Sequence, residues 1–131
     1  MTRDELIRRL ESEDPSPALQ AALAIFLGWT RYRDGCIIHW LHPDGQPLVG
    51  RLPNWLKSID AALTLVPKGF GWSLFVNDSL DTFANPIAEV WPLNGRADKV
   101  ERYFGESNTK PAMALCAAAL KAQEQAQETA A

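Results

Sequence analysis

The chain has 131 residues, 47% of them apolar and 22% charged, and its 13 basic and 16 acidic residues leave a net charge of −3. That length suits one domain able to bury its own core without disulfide or metal staples. The near balance of charge argues against nucleic-acid binding driven by a broad basic excess, and equally against acidic mimicry of DNA.

In chain order, Thr2 and Glu5 stand at capping-box spacing before Leu6, Ile7 and Leu10, which predicts a surface helix over 3–12. The charged residues 1–5 carry no apolar signal-peptide core. No apolar run approaches the roughly 20 residues that cross a bilayer, so the expected location is the cytoplasm. Ser16 and Pro17 signal a second helix, in which only Gln20 is polar between Ala18 and Leu27. A helix apolar all round belongs in the interior.

Residues 36–41 form a β-prone run that ends at the turn Pro43-Asp44-Gly45. Ser58 then caps a third helix, with Ile59, Ala62, Leu63 and Val66 on one stripe and Pro67 and Gly69 as its stop. Residues 72–76 and 87–91 read as an antiparallel pair whose apolar side chains point to both faces, as do those of 36–41. Strands apolar on both faces need cover on both sides. The expected fold class is therefore α+β, an α-β-α sandwich with a small, mainly antiparallel sheet covered by helices on both faces. Thr109 caps a closing helix rich in alanine, which lets it approach a sheet closely. The domain spans 1–122, and the alanine-only apolar content of 123–131 predicts a frayed or disordered tail.

The chemistry-bearing residues are few. Cys36 opens a strand and Cys116 lies in a helix, so both are expected to be buried free thiols. His39, His42 and Asp44 have the residue types of a metal site, but strand residues three apart point to opposite faces and the turn accounts for Asp44. Gly69-Phe70-Gly71 is too short for a phosphate loop and leads into a strand. Asp78 and Asp81 fall in turn-rich sequence. No serine or cysteine stands in a nucleophile motif. No catalytic residue, metal ligand or cofactor is expected, and the chain does not read as an enzyme.

Arg31-Tyr32-Arg33, and Arg96, Lys99 and Arg102, mix basic and aromatic residues as some nucleic-acid surfaces do, though Asp34, Asp98 and Glu101 lie among them. Five tryptophans are many for this length. Trp40, Trp72 and Trp91 fall on strands and are expected in or near the core, whereas Trp55 lies outside the regular elements and is the candidate protein-contact residue.

The run Ser58-Ile59-Asp60-Ala61-Ala62-Leu63-Thr64-Leu65-Val66-Pro67-Lys68-Gly69-Phe70-Gly71-Trp72-Ser73-Leu74, then Ala88-Glu89-Val90 and residues 105–122, resembles the phage ABA sandwich domain family of small phage and prophage proteins. The resemblance implies an α-β-α sandwich encoded in a phage genome. It brings no catalytic or ligand-binding residues to this chain. The functional expectation is a phage-encoded accessory protein in the cytoplasm of an infected or lysogenic bacterium. It would bind a host or phage protein stoichiometrically, with inhibition of a host defence system, such as an anti-CRISPR action, as one consequence. The rival readings are a nucleic-acid-associated replication or packaging protein using Arg31, Arg33, Arg96, Lys99 and Arg102, and a self-associating structural protein whose alanine-rich helix forms a dimer seam.

Overall fold

A computed structural model describes residues 2–75, 86–93, 102–107 and 110–130, with backbone alone for 125–130. Helix α1 (Arg3–Ser12) starts where Thr2 Oγ1 accepts the Glu5 N–H at 3.2 Å, and it buries Leu6, Ile7 and Leu10. Helix α2 (Pro17–Phe26) starts at Ser16, whose hydroxyl accepts the Leu19 N–H. Only one face of α2 is buried, through Leu19, Leu23 and Ala24, and Ile25 is exposed. The interior placement expected from its apolar sequence therefore does not hold.

Strands β1 (Thr30–Asp34) and β2 (Ile37–Leu41) form an antiparallel hairpin that is a sheet of its own. Its tight connection uses Gly35 at φ 63°, a conformation glycine adopts at little cost. The expected Pro43-Asp44-Gly45 turn follows, closed by Gly45 N–H to His42 O at 2.8 Å. Helix α3 (Ile59–Leu63) is capped by Ser58 as expected but is shorter than its apolar stripe. Leu65 and Val66 continue it through tighter bonds to Ala62 and Leu63 up to Pro67.

The second sheet has the order β3 (Phe70–Phe75), β4 (Ile87–Pro92), β5 (Tyr103–Glu106), antiparallel throughout. The β3–β4 pair is the one expected. Helix α4 (Pro111–Ala130) packs on β4 and β5, and α1 and α3 pack on α4. Every residue from Ala112 to Leu120 is buried, so α4 is the interior helix of the molecule. The expected cap residue Thr109 lies outside the described residues. Helical backbone continues past Ala122 to Ala130.

Register explains the closeness of α4. Leu74, Ala88 and Gly105 are opposed across the sheet, so they share a face. A Cβ placed on Gly105 would fall 2.1 Å from Ala114 O and 2.5 Å from Ala118 N. The backbone of α4 thus occupies the space a side chain would need. The class is α+β, with helices packed against a small antiparallel sheet. The described helices lie on the Ala88 and Val90 side, while Phe75, Ile87 and Phe104 on the other side are exposed.

Candidate docking groove

The five hairpin residues of β1 are all exposed, and the hairpin packs mainly on itself. Pairing of Arg31 with Trp40 and of Arg33 with Ile38 puts these four on one face. The Arg31 guanidinium lies over the Trp40 ring, 5.5 Å from its centroid. The other face carries Tyr32 stacked on His39 at 5.0 Å, with Ile37 beyond them. Ile37 is 61% exposed and Tyr32 and Ile38 are each 50% exposed, so the hairpin offers apolar side chains on both faces.

The Trp40 face forms one wall of an open groove of about 790 Å³, lined there by Arg31, Ile38 and Trp40. Arg51, Leu52, Leu56 and Lys57 form the opposite wall, and Pro15, Pro17 and Ala21 supply the α2 side. The walls are set by short-range bonds. Leu48 N–H donates to Trp40 O at 3.0 Å, and the Gln20 amide donates to Pro53 O at 2.9 Å. The two thus tie residues 48–53 between hairpin and helix. No aspartate or glutamate lines this groove among the described residues, although the chain as a whole is acidic. Neither Arg51 nor Lys57 has an ion-pair partner among the described residues.

A second depression, between α1, β5 and α4, has a different character. Its charges are of both signs and two of them pair: Lys121 Nζ lies 3.4 Å from Glu11 and donates to Phe104 O at 2.5 Å, and the Glu11 carboxylate also accepts the Glu106 N–H. This is a seam that closes the outer edge of β5.

The sequence-predicted site residues fare differently. Trp55 is 2% exposed, so the expected surface anchor is a core residue. It meets Trp29 edge-on at 5.9 Å, and its carbonyl accepts the Cys116 thiol at 3.3 Å, which seats it where α4 passes beneath residues 54–56. Arg31 and Arg33 share a hairpin face, whereas Arg102 stands just before β5 of the other sheet. There it pairs with the buried Glu89 and stacks on Trp91 at 5.2 Å. Arg96 and Lys99 lie outside the described residues. Trp40 and Trp91 are partly buried as expected, but Trp72 is exposed at the β3 edge.

Cys36 is exposed at the hairpin turn, contrary to the buried thiol expected there, and Cys116 is buried. Burial lifts the Cys116 pKa from 9.0 to about 12, which keeps it a neutral, inert thiol. His42 meets Trp29 in a tilted ring contact at 4.4 Å, and His39 stacks on Tyr32. No group of three or more metal-type side chains forms among the described residues, and none of their helices is long and apolar enough to cross a membrane.

Sequence reasoning missed Ile37 and Ile38 as exposed residues, and Arg51 and Lys57 as partners of Arg31. The signal for the first pair was present: two consecutive strand residues point to opposite faces, so both could be buried only in a sheet covered twice. The cations stand far apart in sequence, in segments with no period.

Against protein-family models, curated proteins and solved structures alike, the chain has no match. The likeness to the phage sandwich family rests on the residues quoted for it.

Proposed function

We propose that this chain is a small phage-encoded accessory protein that acts in the bacterial cytoplasm by stoichiometric binding to another protein, without catalysis, and that inhibition of a host defence complex is its outcome. The observation that carries the binding role is the hairpin, with Tyr32, Ile37 and Ile38 at least half exposed beside an open groove. Exposed apolar side chains gathered on one projection are what a docking surface requires, and they are a solubility liability otherwise. The phage origin is what the sequence resemblance implies, and the defence target rests on analogy with other small phage proteins that have no active site.

The test is capture from bacterial lysate by the tagged full chain, beside a Tyr32→Ala/Ile37→Ser double variant. A partner retained near one-to-one by the natural chain and lost by the variant supports the reading. Equal capture by both overturns the role given to the hairpin. A second reading, self-association, does not run through the alanine-rich helix as expected, because Ala112 to Leu120 are already buried within one chain. It has one observation in its favour: Phe75, Ile87 and Phe104 are exposed on the sheet face opposite α4. Sedimentation of the pure chain as a dimer at micromolar concentration, abolished by Phe104→Ser, would move the function there.

A further inference from the structure

We propose that the groove between the hairpin and residues 50–57 takes an acidic, extended segment of the partner protein, one that alternates carboxylates with apolar side chains. This deepens the protein-binding reading and rests on it. The charge pattern selects the chemistry. Arg31, Arg51 and Lys57 stand around the groove and no carboxylate lines it among the described residues, in a chain whose net charge is −3. A local positive field on an acidic molecule steers negatively charged partners to that one place and repels them from the rest.

The apolar lining selects the rest of the occupant. Ile38, Leu52, Pro15 and Pro17 are aliphatic and at least partly exposed, so they match leucine- or valine-like side chains between the carboxylates. They suit nucleic acid less well. Single strands are held by bases stacked on aromatic platforms, and the one aromatic ring lining this groove among the described residues, Trp40, already has the Arg31 guanidinium over it. Arginine also suits carboxylate because its planar fork donates two parallel hydrogen bonds. Docking would let Arg31 keep its place over Trp40 while its outer N–H groups meet a partner carboxylate.

The experiment is an NMR titration of the isotopically labelled full chain with a short peptide alternating glutamate and leucine. Its glutamine–leucine counterpart and oligothymidine are run in parallel. The acidic peptide should move the amides of Arg31, Ile38, Arg51 and Lys57 and the Trp40 indole, and the glutamine peptide should move them less. Because both residues are exposed, Arg51→Gln/Lys57→Gln should keep the near-ultraviolet dichroism of the buried tryptophans while weakening the acidic peptide by about tenfold or more. Shifts centred outside the groove, equal response to the two peptides, unchanged affinity in the double variant, or tighter binding of oligothymidine would each overturn the assignment. The two claims part cleanly. If lysate capture depends on Tyr32 and Ile37 but survives Arg51→Gln/Lys57→Gln, the protein-binding reading stands and the groove assignment falls.

Discussion

The α4 half of this molecule and its hairpin half place their apolar residues in opposite ways. Around α4, nine consecutive residues from Ala112 to Leu120 are buried, and the sheet comes so close that Gly105 has no room for a side chain. The edge strand β5 there is closed by Lys121 and Glu11. In the hairpin, all of β1 is exposed, isoleucines face water on both sides, and among the described residues no carboxylate lines the groove that holds the neighbouring cations. One half looks finished as a monomer and the other does not. On the proposed reading the difference separates scaffold from working surface, with stability resting on the first and binding on the second.

The largest effect is expected where the scaffold is tightest. Gly105→Val must push against α4 backbone rather than a yielding side chain, so it should cost more than about 3 kcal/mol in urea unfolding. A loss below 1 kcal/mol would mean that α4 can shift away from the sheet, and the contrast between halves would weaken.

The two cysteines probe the same contrast next. Ellman's reagent at pH 8 should modify Cys36 quickly in the native protein and reach Cys116 only on unfolding. Since folding raises the Cys116 pKa from 9.0 to about 12, the folded state holds that proton after the unfolded chain has lost it. The associated stability is present below pH 9 and falls as pH rises from there towards 12. A Cys116→Ala chain should lose that part of the alkaline decline. An unchanged pH profile would show that Cys116 is not sealed.

Removing the edge closure should matter less. Lys121→Met loses the bond to the Phe104 carbonyl and the link to Glu11, at about 1 kcal/mol. Smallest of all on stability should be Tyr32→Ala/Ile37→Ser, within about 1 kcal/mol, because both side chains are at least half exposed and the stack of Tyr32 on His39 is the ring contact given up. A cost above 2 kcal/mol would make the hairpin part of the scaffold.

The sequence was most readable where local chemistry decides the outcome. The caps at Thr2, Ser16 and Ser58, the Asp44 turn and the pairing of β3 with β4 all depend on neighbours in the chain or on simple alternation. The alanine density of α4 likewise announced a close helix–sheet contact. β1 was hidden because Thr-Arg-Tyr-Arg-Asp has no inward face to leave a period. β5 was hidden because it is four residues long and contains the very glycine that α4 requires.

Trp55 and α2 misled for a common reason. Burial is decided by which elements meet, and neither the passage of α4 under residues 54–56 nor the one-sided docking of α2 is written in their own segments. The groove was the least readable feature, since its cations come from β1 and from two points in a stretch without regular structure.

The division into scaffold and working surface is tested most directly by one quantitative capture experiment with three tagged full-length chains: the natural one, Tyr32→Ala/Ile37→Ser, and Phe104→Ser. Partner stoichiometry is read by mass spectrometry. Near one-to-one recovery is expected with the natural chain and with Phe104→Ser, and loss with the hairpin variant. Recovery by the hairpin variant with loss in Phe104→Ser would contradict the division, and would place the working surface on the sheet face opposite α4.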